Sequence, residues 1–369
     1  MTHKLDRKDL AYREIAEILC AEIREGRYAK EHSFPSLTTI MRRFGCSRGT
    51  VVKSVEELKR RGVVKTVSGS GIFVTRRGSA NKIGLIVPGV AVTDFFKPVV
   101  SELNRLARKY GYQLVFGEVW SDNHEGRIQQ TRDLAAEFIR GNIAGVIYEP
   151  LAGKTGDEIN AKILELFTKK QIPAVLLDCD IVQFPERSAY DVVGVNDFEC
   201  GARIARHLLD VGGKNVHFLV GSLFPTTFAN RLSGAESMLA LASKTPWKGP
   251  DILFAEADDL AALKKYLEHC KRRPDAFICS NDVIASVFKQ TLEKAGLRVP
   301  QDIMLTGFAD LPVASLMTPP LTTVRQDRVL MARTAFRRLL ERIRNPSLSP
   351  CDIFLPAPLI IRGSTMRLE

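Results

Sequence analysis

Apolar side chains recur at helical spacing in three successive segments at the start of the chain, which predicts three amphipathic helices. The predicted buried positions are Leu10, Ile15, Ile18, Leu19 and Ile23 in the first helix, Ile40, Met41 and Phe44 in the second, and Val51, Val55 and Leu58 in the third. Pro35 and Ser36 suit the start of the second helix, and Ser47 is a good N-cap for the third. Gly26 and Gly45 end the first two helices. Two short helices around a glycine-containing turn predict a helix-turn-helix.

After Gly62 the hydrophobic pattern changes to a period of two. The segment VVKTV is followed by the turn sequence SGSG and then by IFVTR, which predicts a two-stranded hairpin. Gly69 and Gly71 permit the positive backbone angles that a tight turn requires. A helix-turn-helix followed by such a hairpin is a winged helix, an α+β unit whose hairpin can lie along the minor groove of a duplex.

From Lys82 onwards, continuous apolar segments alternate with amphipathic helices. The predicted strands form two series, at residues 83–88, 112–118, 144–150, 172–178 and 192–195, and at residues 215–221, 251–257, 275–282 and 303–310. Continuous apolar strands that alternate with helices are typical of parallel sheets covered on both faces. The pattern therefore predicts an α/β chain in which a two-lobed α/β/α domain follows the winged helix.

The same patterns set the expected domain bounds. They predict a winged-helix domain at residues 1–77, a linker at 78–81 and an α/β domain at 82–369. The expected bounds within the α/β domain are 82–195 and 325–345 for lobe 1, and 196–322 and 346–369 for lobe 2. The length of the chain agrees with two or three folding units.

The positive charge is concentrated near the N-terminus. Residues 1–79 carry 17 Lys and Arg against 9 Asp and Glu, and so supply eight of the net eleven positive charges of the 369-residue chain. A basic balance confined to one small unit is expected of a domain that binds a polyanion. A merely solvated basic face would give the same charge, so the charge alone leaves that alternative open.

Composition and missing motifs narrow the class of protein. No segment has the ~18 uninterrupted apolar residues of a membrane span, and the charged N-terminus is unlike a secretory signal, so we expect a cytoplasmic protein without a membrane partner. The seven cysteines are scattered, with no C-x-x-C pair and no nearby histidine cluster, which predicts reduced thiols, no metal site and no cofactor. No nucleophile elbow, Walker loop, H-E-x-x-H or G-x-G-x-x-G motif occurs, so we expect no catalytic residues and no enzyme activity.

The start of the third helix carries side chains suited to DNA. The second helix of a helix-turn-helix enters the major groove by its N-terminal residues. Arg48 can donate to guanine edges or to phosphate, and hydroxyls and helix-start amides can hold phosphates. The predicted DNA-binding residues are Ser36, Thr38, Ser47, Arg48, Gly49, Thr50, Lys53 and Gly71.

Residues 10–75 resemble the DNA-binding domain of the GntR (gluconate-repressor) family of bacterial regulators. The matching positions are Pro35, Ser36, Phe44, Ser47, Arg48, Thr50, Val51, Leu58, Gly62, Gly69, Gly71, Phe73 and Val74. The family's Glu-Arg after Pro-Ser is Leu37-Thr38 here, so a habitual DNA-contacting arginine is missing, and Val52 replaces another arginine. The resemblance implies a winged helix and a double-stranded DNA partner, but not the operator of better-known relatives.

Polar and aromatic side chains follow the predicted strands of the α/β domain. Ligands of open parallel sheets bind beyond the carboxyl ends of the strands. The side chains at those ends are Asp94, Glu118, Trp120, Tyr148, Glu149, Asp178 and Asp180 in lobe 1, and Asn281, Asp282 and Asp310 in lobe 2. Such a set suits a polyhydroxylated ligand, because hydroxyls need paired donors and acceptors and sugar C–H faces stack on rings.

Residues 82–345 resemble the effector domain of the LacI/GalR repressors, a relative of periplasmic sugar-binding proteins. The most distinctive segments are CSNDVIASVFKQTLEKAGLRVPQDIMLTGFAD and LMTPPLTTVRQD. With the ligand contacts that the resemblance implies, the predicted ligand-binding residues are Asp94, Phe95, Trp120, Glu149, Arg231, Asn281, Asp282, Asp310 and Gln326. Ala309 stands where relatives carry a ligand-holding aspartate, and Asn196-Asp197 reverses the usual Asp-Asn order, so the resemblance leaves the particular sugar open.

Together the two resemblances imply a ligand-responsive transcriptional regulator. We expect a homodimer that represses carbohydrate-metabolism genes on operator DNA and takes a sugar or sugar derivative as effector. One alternative is a periplasmic-type solute-binding protein without gene regulation, against which the basic N-terminal domain argues. The other is a pyridoxal-dependent GntR-fusion enzyme, against which the binding-type fold of the α/β domain argues.

Overall fold

The computed structural model describes residues 7–24, 27–28, 34–67, 71–75, 81–87, 94–117, 119, 123–183, 185–221, 226–243 and 249–366. Its N-terminal part contains α1 (Arg7–Arg24), α2 (Leu37–Phe44), α3 (Arg48–Arg60), β1 (Val64–Val67) and β2 (Gly71–Val74). The two strands pair antiparallel, which confirms the predicted hairpin; its turn at residues 68–70 lies outside the described residues. The hydroxyls of Ser36 and Ser47 accept hydrogen bonds from the amides of Thr39 and Thr50, each at 3.2 Å, and so cap α2 and α3.

The three helices and β1 enclose one small core. Its buried members include Ile15, Leu19, Ile23, Ile40, Val51, Val55, Leu58 and Val64. The prediction that Ile18 is buried is wrong, since this side chain is 44% exposed. Ala16 and Cys20 are buried in its place, so the inner face of α1 is rotated away from Ile18. The side chain of Leu10 lies outside the described part of the chain.

Lobe 1 is built on a parallel sheet. Within the described residues it has six strands in the order β13-β7-β6-β5-β3-β4. These strands are β3 (Lys82–Ile86), β4 (Gln113–Phe116), β5 (Gly145–Tyr148), β6 (Ala174–Leu177), β7 (Asp191–Val195) and β13 (Asp352–Leu355). One face packs on α4 (Phe96–Lys109) and α12 (Arg328–Arg344), the other on α5 (His124–Arg140) and α6 (Lys154–Lys169). Both faces are therefore covered, as the continuous apolar strands predict.

Lobe 2 repeats this arrangement on a smaller sheet. The described residues give four parallel strands in the order β11-β10-β8-β9. They are β8 (Val216–Val220), β9 (Asp251–Phe254), β10 (Ala276–Ile278) and β11 (Met304–Thr306). The helices are α7 (Asp197–Asp210), α8 (Thr226–Ala242), α9 (Leu260–His269), α10 (Asp282–Lys294) and α11 (Pro312–Leu316). Every strand predicted for the α/β domain overlaps an observed strand. The strands β3 and β7 each begin one residue earlier than predicted, and β10 and β11 have three residues each where longer strands were predicted.

The C-terminal segment corrects the predicted lobe bounds. Residues 346–369 were expected in lobe 2, but β13 pairs in parallel with β7 and so belongs to the sheet of lobe 1. The chain then returns through β14 (Leu359–Ile360), which pairs antiparallel with β12 (Thr323–Val324). We call this pair of strands, next to which the chain crosses between the lobes, the hinge. It ends on lobe 2 in a 3-10 turn at Gly363–Thr365, where the Ser364 hydroxyl donates to the Leu305 carbonyl at 2.6 Å. Each lobe is therefore built from two separate segments of the chain.

Candidate DNA interface and ligand cleft

The start of α3 presents the predicted DNA-binding side chains to solvent. Ser47, Arg48 and Gly49 are exposed and Thr50 is half-buried, while the inner face of the helix packs on α1. Because the first amides of a helix point outwards along its axis, this end attracts phosphate in addition to the charge of Arg48. The placement agrees with a recognition helix that enters a groove by its N-terminus.

The other predicted DNA-binding residues occupy different surroundings. Ser36 and Thr38, at the start of α2, are exposed. The Lys53 ammonium lies 6.0 Å from the ring centroid of Tyr12 on α1, so it is drawn towards α1 rather than along α3. Gly71 has a φ of 110° and begins β2 next to the undescribed turn of the wing.

Two ion-pair clusters fix the helices of this domain to each other. Glu22 on α1 accepts from Arg43 on α2 and from the Tyr28 hydroxyl, the latter at 2.6 Å. The hydrogen bond from Arg43 lowers the pKa of Glu22. Arg61, which is buried at the end of α3, binds Glu57 at 2.7 Å and Glu17 on α1 at 2.9 Å. The Glu22 cluster therefore joins α1 to α2, and the Arg61–Glu17 pair joins the end of the recognition helix to α1.

We use the word cleft for the space between the carboxyl ends of the two sheets. Two carboxylates lie close together on its lobe 1 side. Glu149 follows β5 and Asp178 follows β6, so parallel strand geometry brings them to one edge. The Gln326 amide, from the hinge after β12, donates to Asp178 Oδ1 at 2.9 Å. Glu149 Oε2 is buried and has no hydrogen-bond partner among the described residues.

Among the described residues, lobe 2 contributes the guanidinium of Arg231 to the cleft. Arg231 on α8 donates through Nε to Asp197 Oδ1 at 2.7 Å and through Nη1 to the Ser280 carbonyl at 2.9 Å. Its guanidinium carbon lies 3.4 Å from the ring centroid of Phe308, a stacked cation–π contact. The predicted effector-binding arginine is therefore held in place by the protein on several sides.

Burial dominates the titration of the cleft carboxyls. It raises the pKa of Glu149 well above its usual range, and the neighbouring charge of Asp178 adds to this. Burial also raises the pKa of Asp178, against the opposing effect of Arg231 and of the hydrogen bond from Gln326. Asp197 behaves alike: burial raises its pKa to about 7, although Arg231 lowers it in part. Ionisation of each of these carboxyls costs free energy, and a hydrogen bond donated by a ligand would reduce that cost.

Three predicted ligand contacts in lobe 2 are bound within the protein. Asn281 caps α10 by accepting from the Ile284 amide at 3.0 Å. Asp282 is fully buried and accepts from the Thr323 hydroxyl and the Leu311 amide. Asp310 accepts from Arg325 and Arg362, each at 2.7 Å. These partners favour structural roles for all three side chains over direct ligand contact.

The remaining predicted residues lie on lobe 1. Asp94 is exposed and pairs with Lys97 at 2.8 Å. Phe95 is half-buried and packs against the cores of both lobes, so it lies where they meet. Trp120, like Glu118, falls outside the described residues.

Sequence reasoning missed two partners of Arg231. Phe308 was not singled out, because an aromatic residue within an apolar strand segment gives no signal that its ring faces a guanidinium. Asp197 was noted only for its reversed order with Asn196. It lies two residues after the end of β7, close to a strand end as Asp178 is after β6, and this would have been the signal.

Structural tests for other classes of protein give two plain results. None of the described helices is long and apolar enough to cross a lipid bilayer. In the described ranges no three His, Cys, Asp or Glu side chains are grouped so that they could hold a metal ion.

Comparison with known proteins defines the class. Residues 11–74 match the model of the bacterial regulatory proteins of the gntR family, and residues 205–365 match that of a periplasmic binding protein-like domain. The chain thus joins a GntR-family helix-turn-helix domain to a periplasmic-binding-protein-like domain, and it is a ligand-responsive, DNA-binding transcriptional regulator.

Particular relatives agree with this class. The arabinose metabolism transcriptional repressor of Geobacillus stearothermophilus is 26% identical, over 97% of this chain and 98% of that repressor. A LacI family transcriptional regulator from Enterococcus faecium with bound ribose is 23% identical with a TM-score of 0.62, over 78% of this chain and 100% of the other. The lac repressor dimer bound to operator is 22% identical with a TM-score of 0.63, over 78% and 95%. These relatives are regulators rather than enzymes.

Proposed function

We propose that the protein is a cytoplasmic, homodimeric repressor of carbohydrate-metabolism genes whose affinity for operator DNA is set by a sugar bound between the two lobes. The observation that carries the proposal is the cleft itself, where Glu149 and Asp178 from lobe 1 meet Gln326 from the hinge and Arg231 from lobe 2. Carboxylate and amide groups on a hinged surface suit the hydroxyls of a sugar. The repressor of arabinose metabolism and the ribose-bound regulator support this ligand class.

A physical route connects the cleft to the DNA-binding head. Helix α12 begins at Arg328, two residues after the cleft residue Gln326, and ends at Arg344. The guanidinium of Arg344 lies 3.5 Å from the Glu17 carboxylate on α1. Closure of the lobes around a sugar would shift α12 relative to lobe 2 and so change the position of the winged helix. The sugar acts only if it binds one arrangement better than the other.

DNA binding is tested at the start of the recognition helix. Arg48→Ala should weaken binding to the protein's own promoter fragment by about 1–3 kcal/mol if this arginine makes a bidentate base contact. Fluorescence anisotropy at fixed salt measures the effect. Arg60→Ala is the matched control, because Arg60 lies at the other end of α3 and pairs with Glu57. Equal affinities of the two variants would refute the assignment of the interface.

A further inference from the structure

We infer that lobe 1 carries a second ligand site, separate from the cleft, for a small molecule that combines an apolar ring with one anionic group. The site is a pocket of about 500 Å³ at the base of lobe 1. Pockets of this size hold metabolite-sized molecules. We call it the base pocket, and its lining includes Ile172, Pro173, Ala189, Tyr190, Arg342 and Pro346.

The base pocket lies at the opposite end of the lobe 1 sheet from the cleft. Ala174, which also lines it, is the first residue of β6, and Tyr190 directly precedes β7. Arg342 lies near the carboxyl end of α12. The pocket therefore borders the amino ends of strands whose carboxyl ends border the cleft, so the two sites are separate.

Apolar surface forms much of the wall of the base pocket. Pro173 and Pro346 line it together with Ile172 and the ring of Tyr190. Ile172 and Tyr190 pack against the core of lobe 1 but are only partly buried. A ligand that covers apolar surface in a concave site gains free energy, and flat rings pack well on an aromatic side chain. This wall favours a ligand with an apolar ring.

Arg342 is the charged residue among the described residues that line the base pocket. Its side chain is 12% exposed. Nε donates to Asp191, and Nη1 donates to the Leu348 carbonyl at 3.0 Å. Nη2 is buried and has no hydrogen-bond partner among the described residues. A buried donor without an acceptor costs free energy, which an acceptor on a ligand would recover.

The charges around Arg342 select an anionic acceptor over a neutral one. Arg338 donates to the same carboxylate of Asp191 at 2.9 Å, so two guanidiniums share one fully buried carboxylate. Burial acts to raise the pKa of Asp191, but the hydrogen bonds from Arg342 and Arg338 outweigh it and lower that pKa. Glu341, the other partner of Arg338, is 45% exposed. The buried group thus has a surplus of positive charge, which a carboxylate or phosphate group would balance.

The position of the base pocket suits a regulatory site. Arg342 lies two residues before Arg344, whose guanidinium is 3.5 Å from Glu17 on α1 of the winged helix. A ligand at Arg342 therefore binds beside a contact with the DNA-binding domain. This regulatory effect rests on the proposed function, whereas the binding site itself does not. The ligand changes operator affinity only if it binds one arrangement of the protein better than the other.

Calorimetry on the full-length protein tests the binding. The probes are benzoate, 2-naphthoate and phenyl phosphate, and their neutral counterparts are benzamide, 2-naphthamide and phenol. We expect at least one anion to bind, and its neutral counterpart to bind more weakly by about 10-fold or more. The preferred anion identifies the group as a carboxylate or a phosphate. Equal binding of an anion and its neutral counterpart, or no binding of any anion, would overturn the inference.

Two variants assign the binding to the base pocket. Ala189→Leu adds bulk to an exposed lining residue and should weaken binding of the anion by about 10-fold or more. Arg342→Lys keeps a positive charge beside Asp191 but removes the planar guanidinium, so it should reduce the preference for the anion. Ala161→Leu is the matched control, because Ala161 is an exposed alanine on α6 of the same lobe and does not line the pocket. Unchanged affinity in both test variants would place the anion elsewhere.

Operator binding separates this site from the cleft. Anisotropy on the protein's own promoter fragment, with and without the bound anion and in the absence of sugar, should show a changed affinity that Ala189→Leu abolishes. The same variant should keep its response to sugar. A bound anion that leaves operator affinity unchanged would contradict the regulatory effect. A missing sugar response in the natural protein would instead count against the proposed function.

Discussion

Asp282 shows how a buried carboxyl at the hinge can make the stability of the protein depend on pH. Burial raises its pKa to about 6, although the hydrogen bonds from Thr323 and from the Leu311 amide oppose this shift. The folded state therefore holds a proton that the unfolded chain releases near pH 4. The stability linked to Asp282 is complete below that pH and is lost as the pH rises through about 6.

Asp282→Asn should remove this part of the pH dependence. An asparagine can accept from the Leu311 amide through its oxygen and donate to the Thr323 hydroxyl oxygen through its nitrogen, so both contacts are kept. Between pH 4 and pH 7 the variant should lose about 2 kcal/mol less unfolding free energy than the natural protein. Urea unfolding at a series of pH values measures this. Glu149 and Asp197 are unchanged in both proteins, so parallel profiles would show that Asp282 does not titrate as described.

For individual residues, the sequence predicts which side chains lie at the edge of the cleft, but not which of them lack a hydrogen-bond partner there. Asn281, Asp282 and Asp310 follow strands just as Glu149 does. Asn281 is occupied by the nearby Ile284 amide, but the oxygens of Asp282 and Asp310 are occupied by donors distant in sequence. Thr323 is 41 positions from Asp282, and Arg362 is 52 positions from Asp310. Local sequence carries no record of such partners.

Among the elements, α7 and α8 pack directly against each other, and a glycine of each helix lies where they meet. A Cβ atom at Gly201 would overlap the carbonyl oxygen of Arg231, and one at Gly234 would overlap that of Phe198. The same two helices carry Asp197 and Arg231, so their spacing sets the 2.7 Å ion pair of the cleft.

Gly234→Ala should therefore damage both stability and ligand response. The added methyl group has to push the helices apart, at a cost of about 3 kcal/mol in unfolding free energy. Denaturant unfolding measures the cost, and sugar titration measures the response. Ser233→Ala, at an exposed position on the same helix, should be nearly neutral in both assays. A Gly234→Ala protein as stable as this control would contradict the close contact.

Most of the strands that the sequence predicts are buried, whereas those that it misses are partly exposed or very short. The strands of both sheets were predicted because buried parallel strands are continuous apolar runs, as in β5 and β6, whose residues are all buried. The edge strand β13 was missed: its exposure alternates, and Phe354 is 57% exposed. The hinge strands β12 and β14 have two residues each, too few to show a period.

At the scale of the whole molecule, a weak ion pair joins the winged helix to the α/β domain, whereas stronger ion pairs lie within the α/β domain. Arg344 and Glu17 are 44% and 41% exposed and 3.5 Å apart. Two residues earlier, Arg342 joins Arg338 in binding Asp191, the fully buried first residue of β7. An exposed pair of this kind contributes little to stability.

Two alanine substitutions on α12 compare the stability contributed by the exposed ion pair of Arg344 with that contributed by the buried ion pair of Arg342. Arg344→Ala should cost less than about 1 kcal/mol in unfolding free energy. Arg342→Ala should cost about 3 kcal/mol, because it leaves the buried Asp191 with less compensation. Urea unfolding of both variants measures the difference. A large loss in Arg344→Ala would contradict the small contribution expected of the exposed Arg344–Glu17 pair.

The interleaved path of the chain also limits how such a protein can be recombined. Lobe 1 includes β13, which follows the strands β8 to β11 of lobe 2 along the chain, and lobe 2 includes the later 3-10 turn at Gly363–Thr365, so no single cut yields either lobe intact. The head, by contrast, is an uninterrupted stretch that ends before β3. A crossover at that junction exchanges the winged helix and keeps the two interleaved lobes together. A GntR-type head on a sensor of another lineage is the kind of hybrid gene that this arrangement permits.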